Sequence, residues 1–232
     1  MVGLFINVLY DFWLSKIEVL GIKDAISEIQ MKLEQEGVSE DLKFRLFGKT
    51  AFFSGDKAFS ANRLLESARS FSVNGDNDVV DASDLARIIR EEPFLSKNAL
   101  TLMFTTRQIA TPLSSDAECR YRFSDDRICI FSMAPYYEDR LASNDEYRVI
   151  KLAIWKELGL LLGAMSHRRK KIIWNNGTMA CTSELCALNR TNSMIQKMVL
   201  AEMLDSAHVV YCPYCLGNIK RFYHLPANMT QP

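Results

Sequence analysis

The sequence of 232 residues contains only three histidines and has no excess of charge of either sign. Lys plus Arg and Asp plus Glu both number 28. This balance argues against a protein whose whole surface binds nucleic acid, although it leaves room for a local basic patch. No Walker loop, dinucleotide-binding fingerprint or Ser-His-Asp ordering is visible, so the sequence shows none of these common nucleotide and hydrolase signatures.

Long hydrophobic runs are also missing. The nearest candidate, residues 158–165, is too short to cross a bilayer. The apolar N-terminus has no basic segment and is interrupted by Asp11, so residues 2–9 predict a buried first strand and not a signal peptide. We therefore expect a cytoplasmic protein with no membrane partner. The 48% hydrophobic content is enough for one domain over residues 1–232.

Hydrophobic periodicity predicts alternating strands and helices followed by a long buried helix and a cysteine-rich tail. This order predicts an α/β (or α+β) fold in which a mixed sheet packs on helices. The segment 73–78 predicts a turn, and residues 118–123 and 127–133 predict a hairpin that carries Cys119 and Cys129 as buried apolar side chains or as a metal or redox pair. The predicted helices are 22–36, 58–71, 83–90, 144–163 and 193–204, and the other predicted strands are 42–47 and 99–105.

The remaining four cysteines form two close pairs, Cys181 with Cys186 and Cys212 with Cys215. Two such pairs separated by a longer span are typical of a structural zinc site, in which each pair supplies two thiolates. The alternatives are a thioredoxin-like redox pair or unrelated buried thiols. The spacing predicts one Zn²⁺ in a subregion of residues 175–224, with Gly217 allowing a tight knuckle.

The predicted helix before these cysteines carries Glu157, Gly159 and Gly163. Together with the cysteine pairs that follow, it resembles the archaemetzincin family of zinc peptidases. That family has the pattern His-Glu-x-x-His-x-x-Gly-x-x-His, followed by four cysteines that bind a second, structural zinc. The resemblance covers about residues 148–215 and implies a metzincin-like fold, with Glu157 at the position of the general base.

The three positions of the catalytic zinc ligands differ from this pattern. Lys156, Leu160 and Ser166 stand where the family has histidines. A charged ammonium and an isobutyl group cannot hold zinc. The resemblance therefore implies that the catalytic zinc is lost and the structural zinc is kept. We expect a catalytically inactive binding or scaffold protein with an unknown protein or peptide partner.

Two other functions stay open at this point. His167, His208 and His224 could combine with Glu157 as rearranged ligands of an active zinc metallopeptidase, although a lone histidine near a knuckle is more often a surface residue. A basic run could also contact phosphates as part of a nucleic-acid-associated accessory protein, or form a solvated loop. This run consists of Arg168, Arg169, Lys170 and Lys171.

Overall fold

The computed structural model describes most of the chain and divides it into two compact units. The units are Met1–Val19 with Leu42–Leu141, and Leu20–Asp41 with Ala142–Pro232. The single domain over residues 1–232 stays a prediction. The described residues are 4–35, 37, 42–47, 51–53, 57–59, 61–73, 76–92, 95, 99–111, 122–124, 127–134, 143–164, 181, 183–191 and 193–224.

The first unit is built on a five-stranded sheet with the order β2-β1-β7-β10-β9. The first four strands are parallel, and β9 pairs with β10 in the antiparallel direction. This confirms a mixed sheet and the predicted hairpin. The strands are β1 (Leu4–Tyr10), β2 (Leu42–Phe47), β7 (Leu100–Thr105), β9 (Arg122–Ser124) and β10 (Ile128–Ser132).

The central strands β7 and β10 are mostly apolar, and their few hydroxyl side chains are buried as well. Every residue of β7 and β10 is buried, as expected for parallel strands between two layers. Cys129 lies buried within β10, whereas Cys119 lies outside the described residues. One face of the sheet contributes Leu9, Met103 and Ile130 to the main hydrophobic cluster of this unit.

Two short helices and five short strands complete the first unit. The predicted helix over 58–71 is wrong in extent, because the chain leaves α2 after Ser67 and pairs residues 70–73 with β6. The predicted turn over 73–78 is likewise too long, since β6 begins at Asp76. The elements are β3 (Ala51–Phe53), β4 (Lys57–Phe59), α2 (Ala61–Ser67), β5 (Ser70–Val73), β6 (Asp76–Asp81), α3 (Ala82–Glu91) and β8 (Ile109–Ala110).

Helix α1 (Lys16–Gln35) begins six residues before its predicted start. Its first turn is fixed by a capping box. The backbone N–H of Glu18 donates to Ser15 Oγ over 3.2 Å, and the Glu18 carboxylate accepts from the Ser15 N–H. These bonds satisfy two N–H groups that a helix start otherwise leaves without partners.

The second unit contains the rest of α1 and three further helices. Lys151 connects three of these four helices. Its ammonium lies 2.7 Å from a Glu28 oxygen on α1 and 3.0 Å from an Asp205 oxygen on a third helix. No helix in the described part of the chain is long and apolar enough to cross a membrane. The helices are α4 (Ser143–Leu161), which carries Lys151, α5 (Met194–Ala207), which carries Asp205, and α6 (Pro213–His224).

Candidate metal centre and degenerate helix

The four predicted zinc ligands come together in the second unit. The Sγ atoms of Cys181, Cys186, Cys212 and Cys215 all lie within 4.8 Å of one another, and those of Cys181 and Cys212 are 3.5 Å apart. A tetrahedral zinc with Zn–S bonds of about 2.3 Å places its sulfurs about 3.8 Å apart. The cluster therefore has the size that zinc requires.

The first cysteine pair lies on a loop that folds back on itself. Cys181 donates its N–H to the Leu188 carbonyl over 2.8 Å, and Asn189 donates to the Cys186 carbonyl over 2.9 Å. The Ser183 N–H donates to Cys181 Sγ over 3.4 Å, and the Leu188 N–H donates to Cys186 Sγ. In both cases the amide two residues after the cysteine stabilises its sulfur, as in a zinc knuckle.

The second pair is held by a helix and not by a glycine turn. Cys212 immediately precedes α6, and Cys215 lies in its first turn. Gly217 lies inside this helix, and its φ is not positive, so the prediction that it shapes a tight knuckle is wrong. The positive end of the helix dipole instead favours thiolates at this position. A bond of 2.8 Å from the Ala187 N–H to the Val210 carbonyl ties the two pairs together.

The charges of the four thiols show why a cation suits the cluster. A hydrogen bond from Cys215 lowers the pKa of Cys186 to about 5. Burial raises the pKa of Cys181 to about 11, and the bond to Cys186 raises the pKa of Cys215 well above its ordinary value. The four sulfurs cannot all ionise side by side unless positive charge lies among them. The donor set therefore fits zinc, which would bind as a cross-link between the two pairs.

Three of the four degenerate positions lie on α4, and the fourth lies outside the described residues. Lys156 is half-buried, and its ammonium donates to Thr191 Oγ1 over 3.2 Å. Glu157 is 2% exposed and Leu160 is 8% exposed. Ser166 lies outside the described residues. The helix thus buries the glutamate, while its two neighbouring ligand positions present an ammonium and an apolar group.

Gly163 ends this helix as the archaemetzincin pattern implies. Its φ is +77°, a conformation that glycine adopts without steric cost. The Gly163 N–H donates to the Leu160 carbonyl over 3.0 Å, and the Ala164 N–H donates to the Gly159 carbonyl over 2.9 Å. This pair of bonds is a Schellman motif, which turns the chain sharply away from the helix axis.

Two residues beside the cysteines hold α4 and its turn, and sequence reasoning missed both. Tyr211 donates its hydroxyl to the Trp155 carbonyl over 2.6 Å, and its ring lies against Gly159. Burial raises the pKa of Tyr211 well above its ordinary value, so the phenol stays protonated. Asn218 donates to the Ala164 carbonyl over 2.7 Å. Their nearness to Cys212 and Cys215 in sequence is the one signal that could have found them.

The histidines give no second metal centre in the described part of the chain. His208 is the C-cap of α5, with a φ of 52°. Among the described residues, no group of three or more metal-binding side chains includes His208 or Glu157. His167, the side chain of His224 and the basic run of residues 168–171 lie outside the described part. The rearranged peptidase and the nucleic-acid function therefore stay predictions.

Comparison with solved structures finds this fold in an archaemetzincin from Methanopyrus kandleri. The TM-score is 0.51 at 11% identity, over 95% of this chain and 96% of that one. A zinc-dependent peptidase from Methanocorpusculum labreanum gives a TM-score of 0.49 at 13% identity, over 92% of this chain and 99% of that one.

No protein-family model and no curated protein sequence matches the chain. The structural likeness therefore speaks to the fold alone. It agrees with the mixed sheet of the first unit. This chain has the archaemetzincin fold.

Proposed function

We propose that this protein is a catalytically inactive relative of the archaemetzincins that keeps one structural zinc and serves as a binding or scaffold protein. The observation that carries the proposal is the set of side chains that α4 presents at the positions of the catalytic zinc site. The helix keeps the buried Glu157 and the turn at Gly163, but its two ligand positions hold Lys156 and Leu160. The Lys156 ammonium donates to Thr191 and has no lone pair while it is charged, and Leu160 has a hydrocarbon side chain. Neither can donate an electron pair to a metal.

The cysteine cluster supports a structural role for the remaining metal. Four thiolates fill the tetrahedral coordination of zinc, so no position stays open for the water that a catalytic zinc activates. The zinc would stabilise the folded state by cross-linking the loop that carries Cys181 and Cys186 to the start of α6. It would contribute no chemistry.

The proposed role is to bind an unidentified protein or peptide in a reducing, cytoplasmic setting. The described cysteines form no disulfide with one another, which agrees with a reducing compartment. One fold can serve many unrelated functions, so an archaemetzincin fold can bind a partner without catalysing its cleavage.

Metal analysis of the purified protein tests the proposal. We expect one zinc per chain. Cys212→Ser should weaken zinc binding by more than about a hundredfold, because even groups that only support a ligand cost about 10- to 100-fold when they are removed. Cys129→Ser is the matched control, since this thiol is buried in β10 and belongs to no cluster of the described residues. It should leave the zinc content unchanged.

Glu157→Gln separates this proposal from an active enzyme. The purified wild-type protein should cleave no casein or peptide library, and the substitution should change neither this result nor the zinc content. A second tightly bound metal that survives Cys212→Ser, or a proteolytic activity that Glu157→Gln abolishes, would contradict the proposal and favour the rearranged peptidase.

A further inference from the structure

Helix α5 presents a row of apolar side chains to solvent. Ile195, Val199 and Met203 are all exposed, and their spacing of four residues places them one above another on the same face of the helix. The row is about 12 Å long, because each residue of a helix rises about 1.5 Å. It lies in the second unit and includes neither a cysteine of the cluster nor a position of the degenerate zinc site.

The opposite face of α5 is already covered. Leu200, Ala201 and Leu204 are buried, and Asp205 binds Lys151 on α4. Nine of the fourteen residues of α5 are apolar, so apolar side chains occupy both of its faces. A helix that is apolar all round is typical of one that is covered on every side. The exposed row therefore indicates a contact surface that stays open in the single chain.

The exposed face of α1 differs from that of α5. Leu20 is the most exposed apolar side chain of α1, but its neighbours at a spacing of four residues are Lys16 and Asp24. Single apolar side chains among charged ones are ordinary on a protein surface, whereas contiguous apolar surface more often marks an interaction site. The uninterrupted row thus distinguishes α5 from an ordinary surface helix.

The charges on α5 favour a partner without a strong charge of its own. Of the three charged residues of the helix, only Glu202 is exposed. The face therefore has no basic cluster for nucleic acid or for an anionic membrane, and one carboxylate is little to attract a basic helix. A second copy of this chain carries no formal net charge, so two copies approach each other without net repulsion.

The row also has the same pattern in both directions from Val199. Ile195 lies four residues before Val199, and Met203 lies four residues after it. A twofold axis beside Val199 runs two copies of α5 antiparallel, so that Ile195 of each copy lies against Met203 of the other. The exposed Gln196 then lies against the exposed Glu202 of the second copy. Apolar side chains meet apolar ones, an amide meets a carboxylate, and no like charges face each other.

We propose that the exposed row of α5 is the contact surface of a homodimer, in which two copies of the helix pack antiparallel about Val199. Because the row is short, we expect an interface of less than about 1,200 Å² in total, the size range of transient complexes. The dimer should form at micromolar protein concentration and dissociate on dilution. This inference depends neither on the zinc nor on the loss of catalysis.

Sedimentation velocity of the zinc-loaded full chain tests the proposal. Between about 1 and 500 μM protein, the wild type should change from monomer to dimer. Val199→Glu and Val199→Lys should each weaken dimerisation at least about tenfold, because two like charges then face each other at the axis. Val199 is 51% exposed, so both variants should keep the melting temperature of the wild type.

An equimolar mixture of the two variants tests the pairing itself. It should regain an affinity within about tenfold of the wild type, because the carboxylate of one variant faces the ammonium of the other. Leu20→Glu and Leu20→Lys are the matched controls. Leu20 is 53% exposed but belongs to α1, so both controls should dimerise like the wild type.

Three results would overturn the proposal. A wild type that stays monomeric at about 500 μM would leave the row to a partner of another sequence. An equal loss of dimerisation in the Val199 and Leu20 variants would mean that α5 is not the specific contact. A mixture that stays monomeric would contradict the antiparallel pairing about Val199. Zinc content is measured on the same samples, so a failure of the structural-zinc proposal is recognised separately.

Discussion

Gly159 occupies a position where a side chain has no room. A Cβ at this residue would lie 2.6 Å from a ring carbon of Tyr211, closer than non-bonded atoms approach. The Tyr211 hydroxyl bonds to Trp155 on the same helix, so the ring cannot move away without losing a buried hydrogen bond. Glycine is intrinsically unfavourable inside a helix, and the packing of Tyr211 against Gly159 offsets this cost.

Gly159→Ala should therefore destabilise the protein by about 1–3 kcal/mol, the usual cost of overpacking a close contact. Gly217→Ala is the control, because this helical glycine has no atom within 4 Å of its Cβ position. It should stabilise α6 by up to about 1 kcal/mol. Urea unfolding followed by circular dichroism measures both changes. Equal effects of the two substitutions would show that the Tyr211 contact is unimportant.

At the residue scale, the sequence identifies residues that belong to a local spacing pattern more readily than residues that act through distant partners. The cysteine pairs and Gly163 stand at recognisable spacings, and both occur where the pattern predicted them. Tyr211 and Asn218 follow no local pattern, because their partners on and after α4 lie more than 50 residues away in sequence. The predicted role of Gly217 is wrong for a different reason, since Cys215 lies in the first turn of a helix that the sequence alone does not indicate.

Helix α3 shows how one element is fixed by acids at its start. Asp81 accepts hydrogen bonds from the N–H groups of Ser83 and Asp84, over 3.0 and 3.2 Å. Asp84 accepts from the Arg69 N–H over 3.0 Å and from Arg87 over 2.8 Å. These bonds satisfy the exposed N–H groups of the first turn and join α3 to the segment that leads into β5.

Asp84→Asn should cost about 1–2 kcal/mol of stability at pH 7, because a buried charge-assisted hydrogen bond becomes a neutral one. Glu91→Gln is the control. Glu91 binds the same Arg87 at 2.8 Å but is exposed, so its loss should cost less than about 0.5 kcal/mol. Denaturant unfolding measures both. Similar losses would argue that burial does not strengthen the Asp84 bonds.

Asp84 also predicts that the free energy of unfolding depends on pH. The hydrogen bond from the Arg69 backbone, with that from Arg87, holds the pKa of Asp84 below its ordinary value. The carboxylate therefore stabilises the folded state above the unfolded pKa of about 3.9, and this contribution is lost as the pH falls through the lower folded pKa. The wild type should lose its stability advantage over Asp84→Asn during acid titration from pH 6 downwards.

At the element scale, the hydrophobic periodicity located most strands and helices. It failed where pairing with a neighbouring strand decided whether a segment is helix or strand. The buried strands over 99–105 and 127–133 and the long helix over 144–163 were close to their observed bounds. Residues 68–73 continue an apolar pattern but leave the helix, because β6 offers them a strand partner. The start of α1 was readable from Ser15 and Glu18, whose spacing is that of a capping box.

Across the whole chain, the cysteine cluster joins segments that are 25 residues apart. The cluster lies within the second unit, and its cysteines adjoin Tyr211 and Asn218, which hold α4 and its turn. Zinc bound to this cluster would stabilise the folded state, because the four ligands are assembled only there. The mixed-sheet fold could be predicted from element order. The division into two units could not, because it depends on contacts between distant segments.

Removal of zinc by a chelator should lower the free energy of unfolding. The loss amounts to about 4 kcal/mol if free zinc had exceeded its dissociation constant about a thousandfold. Cys129→Ser should show the same chelator-dependent loss as the wild type, whereas Cys212→Ser should show almost none. Thermal unfolding with and without chelator measures this. An equal response of all three proteins would mean that zinc binds elsewhere.

The contacts that hold α4 also affect how the sequence of this protein can evolve. Tyr211 and Asn218 hold the helix and its turn from the cysteine-bearing segment, so the position of the helix does not depend on a metal bound to α4 itself. A substitution at the half-buried Lys156 should therefore cost little stability, whereas one at the buried Leu160 should cost more. Selection for stability acts most strongly on the segment from Cys181 to Asn218, and the helix surface is free to acquire new side chains.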